Sequence, residues 1–243
     1  MRSFLLAVQL LTRIPVRIRG EVHKREMVLS VTMFPLVGLL VGGAMGLVHY
    51  LASLVLPGTL PALLAVLAAL LLTGGLHLDG LMDTADGVFG SHTREKALAI
   101  MKDSRAGAMG VMACVVVLGI KTAAISSLIG YKIYPVLLLT PVAARTAMVP
   151  AMRYPYARQG EGTGSPYAGQ VGKEHIMFSV LLALAVSALI MRTEGVVLVM
   201  GAWLVSAVTT WWLAKRLGGM TGDTYGFINE VAEISFLLLA LMV

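Results

Sequence analysis

Apolar residues fill long, nearly unbroken runs along this chain, and the polar residues collect in the gaps between them. A helix needs about 20 such residues to cross the hydrocarbon of a bilayer. Runs near that length cover Met27–Tyr50, Thr59–Leu76, Ala106–Gly130, Ile133–Met152, Ile176–Met191 and Val196–Ala214, with a seventh over Gly226–Val243. The predicted fold class is therefore all-α, a polytopic transmembrane helical bundle of about seven spans. Ser3–Thr12 is also apolar, between Arg2 and Arg13, but it is too short to span and lacks a small-residue cleavage site. An N-terminal interfacial or re-entrant helix fits it better than a removable signal peptide. Pro35, Gly38, Gly42, Gly43 and Gly46, and further on Pro141 and Pro150, mark places where spans kink or pack closely.

Composition agrees with that pattern. The 243 residues are 58% hydrophobic and only 13% charged, with a mean hydropathy of +0.85, whereas soluble domains carry about 25% charge. One integral membrane domain over residues 1–243, with catalytic loops on one side, accounts for the length. The net charge of +6 forms no basic run of the kind that binds nucleic acid. It follows the positive-inside rule instead. Alternating spans place Met1–Glu26, His77–Arg105, Arg153–His175 and Lys215–Tyr225 on one side, and fifteen of the nineteen Lys and Arg fall there. That side is expected to be cytoplasmic. The single cysteine, Cys114, lies in an apolar run and reads as a small packed hydrophobe.

Most candidate chemistry lies in the same four stretches, with a few charged residues inside spans. In Gly74–Gly87, Asp79, Asp83 and Asp86 stand at i, i+4 and i+7, which a helix gathers on one face. Like charges at that spacing repel. Mg²⁺ is held by a few carboxylates, keeping positions open for water and phosphate oxygens. The trio is therefore a candidate metal site, with Asp103 as a fourth carboxylate. His77, two residues before the array, could act as general base, ligand or interfacial polar group. Lys102 and Arg105 are candidate phosphate contacts, as is Arg145, too deep in a span to be merely solvated. Lys121 is open between a substrate contact, a snorkelling cation and half of a structural pair.

Arg153–Gly164 mixes aromatic rings, cations and glycines and reads as a lid or as a plain connection. Gly218–Gly226, with Thr221 and Asp223, can cradle phosphate at a helix start. Glu230 and Glu233 beyond it should face inward. The offsets Gly74-Gly75, Asp79, Asp86 recur as Gly218-Gly219, Asp223, Glu230, a weak internal echo that would supply two carboxylate pairs.

These residues resemble the cobalamin synthase, or adenosylcobinamide-GDP ribazoletransferase, family. The resemblance runs through Leu11–Val16, Phe34–Gly38, Gly74–Gly87, Ile100–Arg105, Arg145, Tyr156–Arg158 and Gly218–Gly226. A departure falls at Gly162-Thr163-Gly164, where the family usually has leucine in the middle. The resemblance implies Mg²⁺-dependent attack by a ribose hydroxyl of α-ribazole, or its 5′-phosphate, on the corrinoid-side phosphorus of adenosylcobinamide-GDP, releasing GMP. It implies Asp79, Asp83 and Asp86 as ligands, with Asp103 and Glu230 available to complete the centre, and Asp86 or His77 relaying the proton. Lys102, Arg105, Arg145, Arg158, Thr221 and Asp223 would hold substrate. It also implies a bacterial inner membrane and leaves open self-association or association with other enzymes of the corrinoid pathway. A CDP-alcohol phosphotransferase is the alternative enzyme, suggested by Asp83-x-x-Asp86-Gly87. A small-solute or cation transporter lined by Arg145 and Lys121 is the alternative from another class.

Overall fold

A computed structural model describes every residue except Gln159, Glu161 and Thr163, and only the main chain of Tyr131. Among the described residues the regular structure is helical: α1 (Arg2–Leu11), α2 (Lys24–Ser30), α3 (Phe34–Ser53), α4 (Leu60–Thr73), α5 (Leu76–Gly90), α6 (Arg94–Ile100), α7 (Ala108–Ser127), α8 (Ile133–Ala151), α9 (Lys173–Leu217) and α10 (Gly222–Ala240). Single 3-10 turns join α2 to α3 and precede α8.

Lys24–Ser53, Ala108–Ser127, Ile133–Ala151 and Lys173–Leu217 are each long and apolar enough to cross a membrane, and α4 with α5 makes a fifth if the bent pair is one span. The protein is thus a multi-pass helical membrane protein. The count differs from seven for physical reasons. The 45-residue α9 breaks at Met191–Arg192, where Arg192 adopts φ 51°, and Gly195 comes against the main chain of Ser187. The runs expected at Ile176–Met191 and Val196–Ala214 are the two arms of that break. α4 has 14 residues, about 21 Å of helix at 1.5 Å per residue, against a hydrocarbon core of about 30 Å. α10 carries Asp223, Glu230 and Glu233 among its 19 residues, too much charge to pass as a span by composition, yet most of it is buried in the bundle.

α8 is the central post, buried along most of its length. α3 approaches it closely because Gly38 and Gly42 have no side chains: a Cβ on either would lie 2.5 Å from the carbonyl oxygen of Pro141 or Leu138. Small residues four apart are the usual device for such contact in membranes. Gly43 and Gly46 have no comparably close neighbour. Pro141 and Pro150 sit inside α8 without ending it.

α4 stops at Gly74, whose left-handed φ of 65° suits glycine. The chain then turns 90° into α5. We read α5 as lying along the membrane border, outside the spanning segments. α9 stops in the same way at Gly218 (φ 69°). α10 begins four residues before the apolar run predicted for it, because Thr221 caps it by accepting from the Thr224 amide while the Thr224 hydroxyl accepts from the Thr221 amide. Asp223 is therefore a first-turn helical residue rather than part of a loop.

Candidate active site at the polar end

Four connections meet at one end of the bundle. Arg13 lies against Gly74. Arg94 donates to the carbonyls of Leu217 (2.6 Å) and Ala157 (3.1 Å), and Arg216 donates to those of Ser91 (2.6 Å) and His92 (2.8 Å). Tyr156 and Met220 form a parallel bridge, with Ala157 N–H to Met220 O and Met220 N–H to Pro155 O both 2.9 Å. All four basic stretches thus face one way. At the far end, Lys132 donates to the Val243 carbonyl at 2.7 Å and stands 3.8 Å from Glu194.

At the polar end, α5 and α10 start side by side. A Cβ on Gly80 would meet the Asp223 backbone, and one on Gly226 would lie 2.8 Å from the His77 carbonyl. The two glycines let the first turns touch and bring Asp223 to the aspartates of α5. Asp79 is exposed and Asp83 half-buried. Burial, followed by the charges of Asp223 and Asp79, pushes the Asp83 carboxyl up to about 7, against the pull of Arg158. Arg158 pairs with Asp223 at 2.5 Å and donates to the Met101 carbonyl at 3.0 Å, tying this corner to the end of α6. The Thr221 hydroxyl is 3.4 Å from the same Asp223 carboxylate.

Asp86 is engaged differently. Its two oxygens accept from the Gly107 amide (2.8 Å) and the Gly110 amide (2.7 Å) at the start of α7, where free N–H groups and the helix dipole favour a carboxylate. A Cβ on Gly107 or Gly110 would collide with it. Gly110→Ala is expected to eject the Asp86 side chain, strand two amides and lower stability by about 1–3 kcal/mol. Thermal unfolding in detergent measures this, and a wild-type midpoint would contradict it.

Asp103 is paired with Arg105 at 2.6 Å in an exposed loop, and hydrogen bonds from Arg105 hold its carboxyl down to about 2. Lys102 and Arg105 are exposed. Arg105, Asp103 and Asp86 border an open groove of about 530 Å³ that runs to the first turn of α7.

Arg145, His77 and Glu230 are elsewhere. In the bundle interior, Lys121 pairs with both Glu230 and Glu233, and Arg145 donates to the other oxygen of Glu233 at 2.9 Å. Asn229 donates to Glu233 at 3.3 Å. All four charged side chains are buried, two of each sign, around a void of about 30 Å³ that His77 also borders. Arg145 is held by this cluster. The two cations that the transport alternative expected along its path, Arg145 and Lys121, are thus paired with carboxylates.

The expected five metal ligands are therefore not one group. Asp86 caps α7, Asp103 pairs with Arg105, and Glu230 pairs with Lys121. Among the described residues no three His, Cys, Asp or Glu side chains close on a single metal position. Glu233 and Asn229 were given no role in the site by the sequence; their signal was three polar residues at i, i+1 and i+4 inside an otherwise apolar run. Of the lid expected over Arg153–Gly164, Gln159, Glu161 and Thr163, the last at the family departure, lie outside the described residues.

Residues 3–241 match the family described as CobS, cobalamin-5-phosphate synthase. The chain is 36% identical over 239 residues to the adenosylcobinamide-GDP ribazoletransferase of Clostridium novyi, covering 98% of this chain and 96% of that protein. It is 38% identical over 241 residues to the protein of the same description from Desulforamulus reducens (99% and 96% covered), and 37% identical over 246 residues to that of Klebsiella pneumoniae subsp. pneumoniae (98% of each). No solved structure matches the chain.

Proposed function

The chain belongs to the CobS, cobalamin-5-phosphate synthase, family, and from that premise we propose that the corner formed by Asp79, Asp83, Asp223 and Arg158 is its phosphoryl-transfer site. The protein catalyses the adenosylcobinamide-GDP ribazoletransferase reaction of cobalamin biosynthesis. The observation that carries the placement is the meeting of three carboxylates from two helix starts, with one arginine between them, at the end where every basic loop gathers.

The donor set suits Mg²⁺ in type and charge: hard carboxylate oxygens, crowded enough to raise Asp83, open to water on the Asp79 side. Since no three of these groups close on one point, two carboxylates at most would hold the ion, with water and phosphate supplying the rest, as Mg²⁺ commonly requires. When bound there, Mg²⁺ would neutralise charge on the reacting diphosphate. Asp79 and Asp83 are the proposed holders. Asp223, kept in place by Arg158 and Thr221, sets the electrostatics beside them. Arg105, which borders the groove, and the exposed Lys102 nearby in sequence offer cations to the diphosphate of adenosylcobinamide-GDP. Asp86 fixes α7 against α5, which holds the groove open. The nucleophile is a ribose hydroxyl of α-ribazole or its 5′-phosphate, and GMP leaves. The site faces the cytoplasm of a bacterial inner membrane, since the basic loops share its end.

The test uses the purified protein in sealed liposomes and in oriented membrane vesicles. Adenosylcobinamide-GDP and α-ribazole added at the polar face are expected to yield GMP only with Mg²⁺ present. Inverted vesicles should respond and right-side-out ones should not. CMP release from a CDP-alcohol substrate would support the other phosphotransferase class, and GMP release by right-side-out vesicles would overturn the sidedness.

A further inference from the structure

Beside the carboxylate corner lies a second cavity, of about 60 Å³, whose walls come from Leu11 of α1, Phe34 of α3, and Met148 and Met152 at the end of α8. Its lining is apolar apart from Tyr167, whose hydroxyl is bonded to Ser30, and the pair His77 and Tyr225. Both are more than nine-tenths buried. Among the described residues neither His77 Nε2 nor the Tyr225 hydroxyl has a hydrogen-bond partner. Buried phenols and imidazoles are normally satisfied, because an unmet polar group in an apolar place forfeits its bonds to water. Two such atoms bordering one cavity describe a ligand with an apolar body and a polar atom or two in its ring.

Position narrows the class. His77 precedes Asp79 by two residues and Tyr225 follows Asp223 by two, on the helix starts that Gly80 and Gly226 hold together. A group seated here would reach out toward the carboxylates. At roughly 10–15 Å³ per water-sized position, the cavity has room for about one six-membered ring, with the rest of the molecule outside. We propose that this cavity receives the nitrogen heterocycle of the acceptor nucleoside, with His77 and Tyr225 recognising its ring nitrogen and the sugar directed toward Asp79 and Asp83. This rests on the transferase reading above. It also gives α1, too short to span, the role of one wall.

The experiment measures binding of free α-ribazole by equilibrium dialysis against protein in liposomes, with no adenosylcobinamide-GDP present. Wild-type protein should bind. Tyr225→Phe is expected to weaken binding about tenfold, the effect of losing one hydrogen bond in a dry site, and to raise KM for the nucleoside while KM for adenosylcobinamide-GDP stays put. Because that hydroxyl has no partner among the described residues, its removal should not lower the unfolding temperature. Met148→Trp, which fills the void, should abolish nucleoside binding, and Leu11→Phe at the rim serves if the tryptophan disrupts folding. Unchanged binding in Tyr225→Phe and in a folded filling variant would overturn the inference, as would equal displacement by a long-chain alcohol, which would mark the cavity as a lipid site. Failure of wild-type protein to release GMP from the complete substrate pair would instead defeat the transferase reading.

Discussion

Asp83→Asn is expected to abolish turnover while membrane insertion and fold survive. Asp83 is half-buried between Asp79 on its own helix and Asp223 on α10, and its carboxyl is pushed up to about 7 by that company. An amide of the same shape relieves the crowding, so stability should hold or rise slightly. The change removes one of the two charges proposed to hold Mg²⁺. Electrostatic stabilisation at such a site contributes several kcal/mol, so a loss of about 10³-fold or more in kcat is expected. GMP release by detergent-purified protein, beside its unfolding temperature, reads both effects. Normal GMP release would remove Asp83 from the site, and loss of insertion would make its role structural.

The largest effect on stability is expected from Glu233→Gln. One oxygen of Glu233 accepts from Lys121, and the other from Arg145 at 2.9 Å and Asn229 at 3.3 Å. The cluster is neutral with two cations and two carboxylates. Removing this one leaves Lys121 and Arg145 buried against Glu230 alone. Breaking a buried pair from one side costs about 3–5 kcal/mol, enough to unfold many domains. Lowering the positive charge as well, in Glu233→Gln with Lys121→Met, should recover part of the loss. Unfolding in detergent measures both variants. A single variant as stable as wild type would mean that water or lipid headgroups reach the cluster.

Element type was plain in the chain because a membrane helix declares itself by an uninterrupted apolar run, and Met27–Tyr50 and Ile133–Met152 lie on α2–α3 and on α8 plus one residue. The bend after Thr73 was less plain: Gly74-Gly75 was visible as a pair, but its 90° turn is made in left-handed backbone with Arg13, from the segment after α1, packed on Gly74. The same-face spacing of Asp79, Asp83 and Asp86 holds on α5, since all three share that helix. Spacing along one helix could not reveal that the α7 amides claim Asp86, or that Asp223 comes from 140 residues downstream to stand beside Asp83. The echo between Gly74-Gly75 and Gly218-Gly219 is a likeness of helix stops: each pair ends a helix shortly before the next begins, and α5 packs on α10. Its second members, Asp86 and Glu230, part company. Lys121 and Arg145 looked alike as lone cations in spans, and only the inward face of α10 shows that they share Glu233.

The most direct test is a structure of the protein with nucleotide substrate and Mn²⁺ in place of Mg²⁺, read by anomalous scattering. A peak is expected between the carboxylates of Asp79 and Asp83, on the side facing Asp223. A peak at the Asp103 loop or beside Glu230, with none at the α5–α10 corner, would contradict it.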